Sequence, residues 1–328
     1  MPLPLLRLPL LAFEEVIQNM IPRELFEVSL CSKRMNLVVK NLRGKSFKST
    51  VMLRVGKAIG IDLFNENRMS YPSLTLDVLA MSEAPREGWR TEKFGGTFFR
   101  EGSVLRSCWE DVDEGTRCLL GYMSDLFCAR IKKVTIHENR FSSLLDWIEQ
   151  RQGPRSYIAD MYDEHKELTD EQRRHLLIDL TPSRIRYKTS NECFWVENLR
   201  ENYKTISFSD GKFLTIDHLL TMDCVSLRVL KQTFSVANIN RFLRHVLIEG
   251  GAPRLAYFEA LVDDGDQNGI LDEIRDILTP IPEQEQVENN EISWIFSGTL
   301  EREGKLMTVQ ASCRRSSPRQ FALTISKP

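Results

Sequence analysis

The chain has 328 residues and lacks most of the spacings that carry catalysis or metal binding. Its seven cysteines (31, 108, 118, 128, 193, 224, 313) form no C-x-x-C pair, and none stands at zinc spacing from any of the five histidines. A zinc site needs closely spaced Cys and His donors, so no metal is expected. No Asn-x-Ser/Thr sequon occurs either, and an odd, patternless cysteine set without sequons suits reduced thiols in the cytoplasm or nucleus. A net charge of −2 and a pI near 6.3 give no electrostatic case for a polyanion, so nucleic acid is not an expected partner. No apolar run approaches the roughly 18 residues that a membrane helix needs, so a soluble protein is expected. The apolar N-terminus is broken by Pro2, Pro4, Arg7 and Pro9 and runs into Glu14-Glu15, so it is not expected to act as a secretory leader.

The motifs that do occur are decoys. Gly44-Lys45-Ser46 resembles the end of a phosphate loop, but Val39 stands where that loop needs glycine, and the preceding segment reads as helix. Asp264-Gly265-Asp266-Gln267-Asn268-Gly269 matches the first half of a calcium loop, yet Arg275 occupies the position of the bidentate carboxylate. A cation there repels calcium, and an Asp/Asn/Gly turn is the simpler reading. There is no H-E-x-x-H and no Gly-x-Ser-x-Gly elbow. No catalytic residue, cofactor or metal is assigned, and the chain is not expected to be an enzyme.

What is present begins at Leu8. From there to Arg43 the chain reads as three short amphipathic helices. Pro22 ends the first, because it has no N–H to continue it, and suits the opening turn of the second. Ser32 can cap the third, on which Met35, Val38, Val39 and Leu42 share a face. Leu11, Val16, Ile17, Met20, Leu25, Val28 and Leu30 are too many apolar side chains for three such helices to bury among themselves, since a unit under about 40 residues rarely builds a sufficient core. Some of that surface must face the rest of the chain or another protein.

Leu8-Pro9, Val16-Ile17, Met20, Glu24-Leu25, Val28-Ser29-Leu30 and Lys33-Arg34 resemble the F-box, in register and without a gap. The resemblance implies a helical module that docks onto a Skp-type adaptor and, through it, a cullin. The implied adaptor-binding residues are Leu8, Pro9, Leu11, Val16, Ile17, Met20, Leu25, Val28, Leu30 and Arg34, with Glu14, Glu24 and Lys33 at the rim. Leu10, Leu11, Ala12 and Met35 depart from the family pattern, which leaves open a ligase-independent interaction scaffold. The other reading is an N-terminal helical cap packed on its own domain.

Beyond residue 45 the texture turns to short strands, over 45–55 and 73–79, with a hairpin or tight turn between aromatic strand ends at Phe94-Gly95-Gly96-Thr97-Phe98-Phe99 and a helix over 111–128. Strand–helix units then recur. Residues 131–136, 156–159, 203–208, 226–231 and 254–260 read as strands. Helices follow at 141–150, 215–220 and, capped by Ser235, through Val236, Ile239, Phe242, Leu243, Val246 and Leu247. Ile206 to Val229 spans 23 residues and Val229 to Tyr257 spans 28, a repeat period like that of a leucine-rich stack. The charge-dense 163–174 reads as a solvated helix or loop, 280–291 as a linker, and 292–328 as three antiparallel strands.

The Leu-Asp-Trp-Ile centre at 145–148, the Ile239-Asn240-Arg241-Phe242-Leu243 helix followed by Gly250-Gly251, and the terminal hairpin resemble the F-box-associated domain of nematode F-box proteins. The expected fold is α+β or α/β: a three-helix F-box (1–44), then a degenerate leucine-rich-repeat-like stack (entry strands 45–130, repeats 131–279) closed by a small antiparallel sheet. The function implied is a non-catalytic substrate receptor of a ubiquitin ligase. Arg228, Tyr257 and Glu259, placed outward on repeat strands, are the candidate contacts to the target protein.

Overall fold

The computed structural model describes residues 8–42, 49–65, 71–85, 87–91, 94–138, 142–163, 168–189, 205–211, 214–263, 267–272, 274, 276–280, 292–302, 305–314 and 319–326. The linker at 280–291, except for its first residue, and the Gly44-Lys45-Ser46 motif lie outside them, as do Asp264, Gly265, Asp266 and Arg275 of the calcium decoy. Two compact units divide between Tyr157 and Ile158.

The first unit opens with α1 (Leu10–Asn19), α2 (Pro22–Leu30) and α3 (Lys33–Leu42). The local punctuation works as the side chains dictate. Pro22 takes the first helical position of α2, and the Ile21 N–H donates to Glu24 Oε2 at 3.0 Å. Ser32 Oγ accepts from the Met35 N–H at 3.1 Å. A sheet follows, made of β1 (Ser49–Val55), β2 (Ile59–Asn65), β3 (Leu74–Ala80), β4 (Trp89–Thr91), β5 (Phe94–Glu101), β6 (Val104–Trp109) and β7 (Arg130–Ile136) in the order β7-β1-β2-β3-β6-β5-β4. The β1–β7 and β3–β6 pairs are parallel and the others antiparallel. Helices α4 (Val112–Phe127) and α5 (Ser142–Gln152) complete the unit. Asp111 caps α4 by accepting from the Asp113 and Glu114 N–H groups, and Cys128 ends it in the left-handed region with φ 47°.

The F-box helices share one compact unit with the strands that follow. One expectation for this unit changes. The Gly95-Gly96 pair is not itself a tight turn: it lies within β5 at the register shift of the β4–β5 hairpin, and the reversal into β6 falls at Gly102, where φ is 59°. Gly96 is there to admit Trp109. A Cβ on Gly96 would lie 2.6 Å from the indole, and one on Gly115 of α4 would lie 2.4 Å from it, so the ring is clamped between two bare backbones. Gly115→Ala therefore lowers the unfolding midpoint. Overpacking costs about 1–3 kcal/mol, against about 1 kcal/mol gained from helix propensity. Urea denaturation compared with wild type measures the difference.

The second unit holds β8 (Ile158–Asp163), β9 (Arg184–Thr189), β10 (Thr205–Asp210), β11 (Ser226–Phe234) and β12 (Tyr257–Val262) as a parallel ladder in chain order. Helices α6 (Asp170–Arg174), α7 (Ile216–Leu220) and α8 (Val236–Leu247) lie in the connections. This agrees with the strand–helix periods read from the sequence. Next come β13 (Thr279–Pro280), β14 (Ile292–Arg302), β15 (Lys305–Arg314) and β16 (Arg319–Ser326). These do not form a separate closing sheet. β16 pairs antiparallel with β12, so the last strands prolong the same sheet. The acidic and basic stretch around α6 is not wholly solvated either: Thr169 caps it, Leu168, Leu176 and Leu177 are buried, and Arg173 is 3% exposed, ion-paired to Asp170.

The core of this unit lies under α8. Ser235 Oγ accepts from the Asn238 N–H at 3.2 Å, and Ile239, Phe242, Leu243, Val246 and Leu247 turn inward at helical spacing. Phe242 packs 4.4 Å, centroid to centroid, from Phe258 of β12, and Phe258 in turn neighbours Phe321 of β16. Side chains alternate along a strand, so Arg228, Tyr257 and Glu259 point to the opposite face.

Candidate docking module and target-facing sheet

The N-terminal helices have one side committed to their own unit. Tyr122 of α4 is the peg. Its hydroxyl donates to Ser29 Oγ at 2.6 Å and accepts from Asn36 Nδ2 at 2.7 Å, and Ser29 Oγ passes the chain on to the Phe26 carbonyl at 2.5 Å. Phe26 meets the same ring edge-on at 5.7 Å, and Phe94 meets it from the sheet at 5.1 Å. Ser29 and Asn36 are buried, so each hydrogen bond satisfies a polar group that would be costly to leave unmet. Burial pushes the Tyr122 phenol above its ordinary pKa, with the Ser29 and Asn36 hydrogen bonds opposing. Met35 and Val39 are buried on the same helix as Asn36, and Arg100 of β5 pairs with Glu27 at 2.5 Å.

The other side stays open. Leu11 is 80% exposed and Leu37 60%; Ile21, Pro9 and Arg34 are exposed too. Leu8, Val16, Met20, Val28 and Leu30 are partly exposed. Ile17 and Leu25, expected in the adaptor contact, are buried at 0% and 4%. Alternating helical faces put them inside, where they hold the helices together and support the surface formed by others. Of the four departures from the family pattern, Leu11 and Ala12 are at the surface and Met35 is interior.

In the second unit the three residues expected to face a target are brought together, as a closed cluster. Arg228 Nε lies 3.0 Å from Glu259 Oε2, and the Tyr257 hydroxyl donates to the same oxygen at 2.7 Å. The guanidinium of Arg228 sits 5.0 Å over the Tyr257 ring, and Gln320 Nε2 donates to Glu259 Oε1. Glu259 is buried and both its oxygens are engaged, so it orients Arg228, which stays half-exposed. Burial and the facing Glu259 carboxylate raise the Tyr257 pKa. The ladder register carries this row further: Glu259, Arg228, Ser207, Arg186 and Asp160 stand side by side across five strands. Arg186 Nη1 pairs with the buried Asp160 at 3.4 Å. The sequence reading passed over β9, although its Arg184-Ile185-Arg186-Tyr187-Lys188 alternation was there to be seen.

Comparison with known families fits these two halves. The F-box domain model matches residues 5–47, and a model described as F-box associated matches residues 197–260, the stretch that contains β10, α7, β11, α8 and the start of β12. The chain therefore carries an F-box domain followed by an F-box-associated domain, the layout of an F-box protein. No curated protein and no solved structure matches it.

Proposed function

We propose that the chain is the substrate-recognition subunit of a cullin–RING ubiquitin ligase, of the kind found in nematodes. Its F-box docks on a Skp-type adaptor, and its second unit holds the target. The observation that carries this reading is the two-sidedness of the N-terminal helices: one side is consumed by Tyr122 and its neighbours, while Leu11, Ile21 and Leu37 remain in solvent. Exposed apolar side chains next to a module already anchored on its own chain suit a protein partner. Leu8, Pro9, Leu11, Val16, Met20, Val28 and Leu30 would form the desolvated centre of that contact, with Glu14, Glu24, Lys33 and Arg34 around it. The chain contributes position. Holding a target beside activated ubiquitin makes transfer effectively intramolecular, and other subunits supply the chemistry. The setting is cytoplasmic or nuclear.

Reconstitution tests the reading. The chain, added to adaptor, cullin, RING subunit and the ubiquitin-activating and -conjugating enzymes, should direct ubiquitin onto a protein that it captures. A chain that captures the protein and leaves it unmodified would instead be the ligase-independent scaffold, which the exposed departures at Leu11 and Ala12 favour.

A further inference from the structure

We infer that the sheet face of the second unit turned away from α8 binds an extended acidic segment of the target, with carboxylates on alternate residues, along the arginine row of β9 and β11. The inference rests on the reading of this unit as the target-binding half and gives that partner a chemistry.

Three cations, Arg184, Arg186 and Lys188, stand on alternate positions of β9, and Arg228 stands two strands from Arg186 in the same cross-strand row. Between Arg186 and Arg228 lies Ser207, too short to fill the gap between two arginine-bearing strands about 10 Å apart at ordinary strand spacing. The acids of the row lie at its two ends and are buried: Asp160 is 1% and Glu259 8% exposed. Each holds one edge of its arginine, which leaves the other guanidinium N–H groups to solvent and fixes their direction. Arg184, one pleat along and exposed, has no acidic partner among the described residues. Lys188 lies 5.9 Å over the Tyr162 ring.

Counting the row with its β9 neighbours and with the Asp210–Lys231 pair beside Lys188 gives five cations against three acids, so the face is positive although the whole chain is slightly acidic. The spacing of the cations decides what kind of anion fits. Alternate positions on a strand repeat at about 6.6–7 Å, as do alternate side chains of an extended peptide. Single charges at that period match the cations one to one. A phosphate concentrates its charge at one point and would also meet the two carboxylates already in the row. A neutral or basic segment would strip water from guanidiniums and give nothing back.

The test is fluorescence anisotropy of a labelled Glu-Ala-Glu-Ala-Glu-Ala peptide on the full chain. Saturable binding that weakens with added salt is expected, and Arg184→Ala with Arg186→Ala should lower affinity about tenfold. Arg184→Ala alone, which leaves no buried acid unpaired, should lower it about threefold with an unchanged melting temperature. Arg241→Ala, on α8, should leave binding as in wild type. Equal binding of the Lys-Ala counterpart, no response to Arg184→Ala, or binding confined to a phosphoserine version of the peptide would each overturn the inference. Adaptor binding does not enter this assay, so its failure and the failure of the ligase reading are separable.

Discussion

A chain carrying Leu8→Ala and Pro9→Ala binds a Skp-type adaptor about thirtyfold more weakly than wild type, a loss on the order of 2 kcal/mol, as measured by titration calorimetry. Its melting temperature stays where it was. Pro9 is exposed and Leu8 partly so, and Pro9 makes no side-chain cap for α1, so neither truncation opens a cavity in the unit. Ile17→Ala provides the contrast. That side chain is fully buried among the helices, and its loss should cost about 2–5 kcal/mol of folding stability. Adaptor binding by the surviving folded fraction should be close to normal. If the two variants exchanged phenotypes, with Ile17→Ala folded but unable to bind, the assignment of the two sides would be reversed.

The second large effect is at Tyr122. Tyr122→Ala removes an aromatic ring wedged between Phe26 and Phe94, together with the hydroxyl that joins Ser29 to Asn36, and should lower stability by about 3–5 kcal/mol. Proteolysis should then cut first within 8–42, because those helices lose their anchor. Tyr122→Phe keeps the packing and leaves Asn36 without its acceptor, for a loss of about 1–3 kcal/mol. The pH dependence follows from the raised phenol. Because the folded state favours the neutral hydroxyl, this contribution is fully present below the ordinary phenol pKa of about 10 and is lost as pH rises through the higher folded value. Wild type should therefore lose stability faster than Tyr122→Phe in alkaline solution, as followed by thermal melts.

The helix ends of this protein were legible because their causes are local. Pro22, Ser32 and Ser235 each act within three residues, and each does in the structure what its chemistry implies. The alternating residues of β11 and the helical spacing of α8 were legible for the same reason, and they sufficed to place Arg228 and Glu259 on one face. The Tyr122 anchor was not. Its partners lie 86 and 93 residues away in the chain, and nothing in the pattern of α4 distinguishes a tyrosine that pairs with them from one that merely packs. The Gly95-Gly96 pair misled because glycine serves both turns and close approach, and only Trp109, brought up by another strand, separates the two. The closed state of the Arg228 cluster also depends on a distant element, Gln320 of β16.

If the N-terminal helices have one side bound to their own unit and one side open to a partner, hydrogen exchange over 8–42, with and without a Skp-type adaptor, reads both sides at once. Amides near Ser29 and Asn36 should be protected already in the free chain, and the adaptor should add protection across α1 and the start of α2. Exchange unchanged by a saturating adaptor, or amides near Ser29 and Asn36 that exchange freely until it is added, would contradict that two-sided arrangement.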